Sequence, residues 1–163
     1  MSFSPVPQFS FRRITEIPPG FICELGVRFL MVDLDNTIAA YYEHSPADDI
    51  LTWAAGMAAG GVELFIVSNS RREGRVKAFA EAMGVGFVKA ARKPSTEGLM
   101  SAMKAAGYSK DESALAGDQV FTDAVAANCA GIVSIIVHPR SLKNPFLALR
   151  YALESPFRAM ARN

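Results

Sequence analysis

Two cysteines, two histidines and one tryptophan among 163 residues leave little material for several common chemistries. Cys23 and Cys129 have neither a Cys-x-x-Cys spacing nor a neighbouring histidine, so neither a disulfide framework nor a zinc site is expected. Both read as reduced, partly buried thiols. His44 and His138 are equally isolated and read as structural. No run reaches the roughly 18 apolar residues that a spanning helix needs. The opening stretch "MSFSPVPQFSFRR", broken by Pro5 and Pro7, has no apolar signal-peptide region. The expected location is cytoplasmic, either free or peripheral at the inner membrane surface. A net charge of +1 gives no global case for nucleic acid, and none is expected as a partner. Internal repeats and low-complexity segments are also missing.

What the chain has instead is charge sorted by position. Residues 71–93 carry seven Lys/Arg against Glu73 and Glu81, and residues 138–163 carry five against Glu154 alone, whereas 94–137 hold five acids and two lysines. The length suits one core and one principal domain.

Five apolar runs read as strands. "VRFLMVDLD", "VELFIVSNS", "SALAGD" and "IVSIIVH" lack alternation, as strands covered on both faces do, and "VGFVKA" is a shorter version. Helical spacing separates them. "SPADDILTWAAGMAAGG" begins with Ser45 as N-cap and Pro46 at the first position and stops at Gly60. "RREGRVKAFAEAMG", "PSTEGLMSAMKAAG" and "VFTDAVAANCAG" also end at glycine. The alternation predicts an α/β fold: three α/β/α layers around a mostly parallel, Rossmann-like sheet of five strands. The expected division is an irregular segment over 1–25, a core over 26–140 and an amphipathic helical segment over 141–163.

In such sheets ligands sit beyond the carboxyl ends of the strands. The residues there are Asp33 and Asp35 with Asn36 and Thr37, then Ser68-Asn69-Ser70, then Lys93, then Asp118 with Asp123. Four carboxylates at one edge repel unless cations neutralise them, and Mg2+ suits a few carboxylates that leave positions for water and a phosphate. Lys93 adds a further positive charge. A dianionic substrate fits such a site.

The order "DLDNT", "SNS", "K", "GDQVFTD" resembles the haloacid dehalogenase superfamily of phosphohydrolases over about Val27 to Val137. The resemblance implies a Mg2+-dependent phosphomonoester hydrolase working through an aspartyl phosphate. Asp33 would be the nucleophile, and Asp35 the general acid and then the base, with its main-chain carbonyl on the metal. Ser68 would hold phosphoryl oxygens, and Lys93 would steady Asp33 and the transferring group. Asp33, Asp35, Asp118 and Asp123 would form the metal site, Asp123 directly or through water. Thr37, Asn69 and Arg71 would lie at the substrate, Thr37 also bracing the loop after Asp35.

Only "IAAYYEHS" separates Thr37 from the helix near Pro46, which leaves no room for a cap domain. An open site suits a large or membrane-presented phosphoester; otherwise a neighbouring subunit must serve as lid over a small phosphosugar or nucleotide. With "KP" and "GDQVFTD", the compactness resembles the capless subfamily, class IIIA, that includes YqeG-type proteins and phosphatidylglycerophosphate phosphatases. That likeness implies phosphatidylglycerophosphate as substrate. On a helical wheel Phe146, Leu149, Leu153, Phe157 and Met160 share one face, opposite Asn144, Ser155, Arg158 and Arg162. Such a helix can lie on an anionic phospholipid bilayer or dock on its own sheet. Arg71, Arg72 and Arg75 either attract an anionic head group or form a solvated helix face. A non-catalytic phosphate-binding module is the remaining alternative.

Overall fold

A computed structural model of the chain describes residues 4–162. Its strands are β1 (Phe9–Phe11), β2 (Phe29–Val32), β3 (Glu63–Val67), β4 (Gly86–Val88), β5 (Ser113–Gly117) and β6 (Val133–Val137). The helices are α1 (Pro19–Glu24), α2 (Asp48–Ala59), α3 (Glu73–Met83), α4 (Glu97–Ala106), α5 (Val125–Ala130) and α6 (Pro145–Arg158). All strand pairs are parallel, in the order β1-β6-β5-β2-β3-β4.

The α/β class and the parallel sheet agree with the sequence pattern, but there are six strands rather than five. The added strand is β1, which pairs Phe9, Ser10 and Phe11 with Ile135, Ile136 and Val137 of β6. Residues 1–25 are correspondingly not an irregular segment, since β1, a 3-10 turn at Ile14–Glu16 and α1 lie within them. The physical reason is tertiary. "FSF" is too short to show a period, and its two rings are held edge-on by Phe21 of α1, each with a centroid distance of 5.1 Å.

Strand β2 shows why the apolar runs lack alternation. Leu30 and Val32 join the core beneath α2 and α3, with Trp53, Met57 and Phe79, while Phe29 and Met31 join the core beneath α4 and α5, with Leu99, Met103 and Ala127. Both faces are covered, so every position in β2 is buried. Helix α2 starts at Asp48 rather than Pro46, with Ala47 preceding it and no side-chain cap from Ser45.

From β2 the chain runs outward through β3 and β4, while β5, β6 and β1 occupy the other side. The direction reverses between β2 and β5, and a crevice opens beyond their carboxyl ends. No cap domain is inserted: a short flap joins β2 to α2, and α3 alone lies between β3 and β4.

Helix α6 begins at Asn144, whose Oδ1 accepts the N–H of Phe146 at 2.9 Å, and continues through Pro156. Phe157, expected on the apolar stripe, instead turns inward and packs edge-on against Phe121 with a ring-centroid distance of 5.7 Å, next to two charges. Glu154 and Arg158 are buried, while Phe146, Leu149, Leu153 and Met160 just beyond its end are 81%, 61%, 61% and 66% exposed. Among the described residues no helix is long and apolar enough to cross a membrane.

Candidate active site

Asp33 and Asp118 each stand one residue past a central strand, β2 and β5, so neighbouring strands deliver their carboxylates to the same crevice. Asp123 follows from the wide helical turn Val120–Ala124. Carboxylate oxygens of the three buried side chains lie within 4.8 Å of one another. Gly117 makes this approach possible. A Cβ there would collide with the Asp123 carboxylate, so the glycine of "GDQVFTD" is required for space.

Lys93 enters from the loop after β4 and sits between two acids. Its Nζ is 2.7 Å from Asp33 Oδ1 and 2.7 Å from Asp123 Oδ1, the second contact lacking the alignment of a hydrogen bond. Burial lowers the Lys93 pKa, but Asp123 and Asp33 outweigh it and the net direction is upward. The ammonium is held charged. Burial, opposed by Lys93 and assisted by Asp123, pushes Asp33 up to about 7. Asp118 is also raised well above the ordinary carboxylate range, first by burial and then by Asp33 and Asp123. One lysine does not balance three buried carboxylates.

The lysine's own backbone is fixed by Asn69. The Lys93 N–H donates to Asn69 Oδ1 at 2.8 Å, and Asn69 Nδ2 donates to the Lys93 carbonyl at 3.0 Å. Asn69, expected at the substrate, therefore also sets where Lys93 stands. Ser68 follows β3 directly; its buried Oγ accepts the N–H of Ser70 at 3.0 Å, folding "SNS" into a tight turn.

Asp35 is not part of the three-carboxylate group. Its Oδ1 meets Arg75 Nη1 at 2.5 Å. Among the three arginines after "SNS", Arg75 enters the site, whereas Arg71, expected at the substrate, is exposed. Asn36 adopts a left-handed conformation, φ 65°, which turns the chain after Asp35. Thr37 lies buried in that turn. A cavity of about 430 Å³ opens over this region, lined by Asp35, Tyr41, Asn69, Ser70, Arg72 and Arg75. Tyr41 faces the acids: burial and then Asp118, Asp35 and Asp33 raise its hydroxyl pKa.

The residues fit a hard cation. Every donor is oxygen, and Asp118 Oδ1 is buried without a hydrogen-bond partner, as are both polar ends of Asn36 and the Thr37 hydroxyl. Behind Asp118 stands α6. Arg158 Nη2 donates to the Asp118 carbonyl and to Glu154 Oε2, the latter at 2.8 Å, and Nη1 donates to the Val137 carbonyl at 2.9 Å. The helical wheel sets Arg158 opposite the apolar stripe, without a partner; its i, i+4 relation to Glu154 is the signal that marks the pair.

The family model described as mitochondrial PGP phosphatase matches residues 4–140. The chain belongs to that family. It is also 30% identical over 142 residues to "Probable phosphatase YqeG" of Bacillus subtilis, covering 87% of this chain and 82% of that protein. Solved structures share the fold. The cobalt-bound deoxy-D-mannose-octulosonate 8-phosphate phosphatase of Haemophilus influenzae superposes with a TM-score of 0.54 at 13% identity, covering 83% of this chain and 91% of that one. The corresponding putative phosphatase of Vibrio cholerae gives 0.51 at 12%, covering 85% and 90%. This phosphatase is thus a haloacid dehalogenase-type phosphohydrolase, as its motifs imply.

Proposed function

We propose that the protein is a Mg2+-dependent phosphomonoesterase that acts through an aspartyl phosphate on a lipid phosphomonoester, phosphatidylglycerophosphate being the leading candidate. The observation carrying the chemistry is Asp33 paired with Lys93 beside Asp118 and Asp123. Lys93 holds Asp33 Oδ1, which leaves Oδ2 to attack phosphorus in line. The P–O bond to the leaving group breaks, and Asp35 delivers a proton to the departing oxygen. In the second step water attacks phosphorus, its proton passes to Asp35, and the bond to Asp33 breaks to release phosphate. Asp33, Asp118 and Asp123, with the Asp35 main-chain carbonyl, would hold Mg2+, Asp123 directly or through water. Mg2+ supplies positive charge against the transferring phosphoryl group. Ser68 and the N–H groups of its turn bind phosphoryl oxygens, and Lys93 steadies the charge that develops there. Asn69, Ser70 and Arg72 line the cavity by which the substrate would approach, while Thr37 braces the turn behind it and Arg71, outside the cavity lining, is left without an assigned contact.

The substrate class is supported by the uncapped crevice and by α6. Buried apolar side chains contribute roughly 1.5–3 kcal/mol each, yet α6 turns Phe146, Leu149 and Leu153 outward and buries its only acid, Glu154, against Arg158. The basic residues Arg140, Lys143 and Arg162 remain exposed. An apolar stripe on a segment whose exposed basic residues Lys143 and Arg162 form no ion pair among the described residues matches an anionic bilayer. Peripheral contact at the inner membrane surface follows from this reading.

The test compares phosphate release from phosphatidylglycerophosphate in mixed micelles with release from phosphosugars and nucleotides. Asp33→Asn serves as the inactive control. Preferential lipid turnover is expected. Preference for soluble esters would replace this reading with a small-substrate phosphatase lidded by a neighbouring subunit, and no turnover of any ester would leave a binding module. Flotation with phosphatidylglycerol vesicles should be lost in Leu149→Glu/Leu153→Glu; equal flotation would remove α6 from the membrane contact.

A further inference from the structure

Arg75 uses all three of its guanidinium nitrogens inside the site. Nη1 meets Asp35 Oδ1 at 2.5 Å, Nη2 donates to the Ala40 carbonyl at 3.0 Å, and Nε donates to the Glu43 carbonyl at 3.1 Å. The guanidinium carbon also stands 5.1 Å from the Phe79 ring centroid, and the Arg75 side chain is only 8% exposed. This geometry is not that of a solvated helix face. It joins three separate pieces: the first turn of α3, the acid after β2, and the flap that runs toward α2.

The flap has its own internal clasp. Glu43 Oε2 accepts the N–H of Ala40 at 2.7 Å, and Arg140 Nε lies 3.8 Å from the same carboxylate oxygen. The carbonyls that Arg75 takes belong to Ala40 and Glu43, the two residues that the clasp joins. One planar side chain therefore fixes both the height of the flap and the direction of the Asp35 carboxyl group beneath it.

We infer that Arg75 is a positioning residue for proton transfer, holding Asp35 on the line of the departing oxygen. The inference rests on the reading of Asp35 as the proton donor. A flexible aspartate on an open loop would sample several rotamers, and a proton donor contributes only when it lies within hydrogen-bond reach of the oxygen it serves. In this uncapped fold no cap domain descends to orient the donor. Arg75 supplies that constraint from the core.

The test exploits leaving-group basicity. Phenolate is a strong base and needs a proton as it departs, while p-nitrophenolate departs readily without one. The ratio kcat/KM reports only events through the first irreversible step, so the second, shared hydrolysis does not enter it. Arg75→Gln should lower kcat/KM for phenyl phosphate by roughly tenfold or more beyond its effect on p-nitrophenyl phosphate, given the 100-fold or larger contribution of a general acid. Arg75→Lys, which keeps the charge without the fork, should show the same selective loss and provides the comparison if Arg75→Gln folds poorly. Equal losses on both esters, or none, would overturn the inference. Asp35→Asn is measured in parallel: if it also lacks leaving-group selectivity, the assignment of the proton donor fails; if it shows selectivity and Arg75 variants do not, only the role of Arg75 fails.

Discussion

Asn69 and Lys93 hold each other twice, side-chain amide to main chain, with Oδ1 accepting at 2.8 Å and Nδ2 donating at 3.0 Å. The two bonds carry the end of β3 across to the loop after β4 and leave the lysine side chain one course, toward Asp33 and Asp123. Removing the amide loosens the loop at Lys93 itself, while the Ala90 and Ala91 N–H groups still donate to the Ser70 and Ser68 carbonyls at 3.0 and 2.9 Å.

Asn69→Ala should therefore lower kcat on an aryl phosphate by roughly tenfold, in line with about 1–3 kcal/mol for partners left unsatisfied, with a smaller change in thermal midpoint. Asn69→Asp keeps the acceptor at Oδ1 and loses the donor, so it should fall between wild type and Asn69→Ala. Steady-state kinetics of the three proteins decides the ranking.

Metal binding should show itself in the pH dependence of stability. The folded-state value for Asp33, about 7, exceeds its ordinary 3.8, and Asp118 moves the same way. The folded chain binds these protons more tightly than the unfolded one, so their contribution to stability is complete below 3.8 and lost as pH rises through about 7. With a chelator present, the thermal midpoint should fall across that window. Added Mg2+ should restore it, with the largest rise above the window. A Mg2+ effect that is the same at every pH would contradict the assigned cluster.

Arg158 and Glu154 form a buried pair, and breaking it leaves a buried charge without a partner. Arg158→Met should cost about 3–5 kcal/mol in denaturant unfolding. Glu154→Gln, which keeps an acceptor for the Phe121 N–H, should cost less. Because Arg158 also holds the Asp118 carbonyl, Arg158→Met should weaken Mg2+ binding measured by calorimetry, whereas Glu154→Gln should weaken it less.

At Gly117 even one methyl group meets the Asp123 carboxylate. Gly117→Ala should destabilise the fold by about 1–3 kcal/mol, as overpacking does. It should also depress kcat by displacing Asp123 from Lys93; an Ala variant with normal turnover would show that the carboxylate can shift without consequence.

The central part of the site was legible because Asp33, Ser68 and Asp118 directly follow apolar runs and Lys93 comes shortly after one, and strand ends in a parallel sheet converge; Asp123 was legible with Asp118 from "GDQVFTD". Arg75 was not. Whether it or Arg71 points inward depends on where α3 begins, and with the first helical residue at Glu73, Arg75 falls beside Val76 and Phe79 on the inner face while Arg71 precedes the helix. Glu154 and Arg158 were hidden for another reason. Their partners, Phe121, Asp118 and Val137, are 21 to 40 residues away, so a helical wheel sees two charges and assigns them to water. The strand at Phe9–Phe11 was missed because its pairing and its aromatic support come entirely from residues elsewhere in the chain.

That strand also constrains the order of assembly. Its only neighbour in the sheet is β6, and the Gln8 N–H reaches Ser134 across 126 residues of chain. Arg162 then closes on the same segment, its N–H donating to the Gln8 carbonyl at 3.0 Å and its carbonyl accepting from Ser10 at 2.8 Å. Of the described strands β1 is the earliest in the chain yet among the last that can be placed, because its template, β6, follows all the others in sequence. Until then, "FSF" waits beside a growing sheet whose outer edge it will eventually cover.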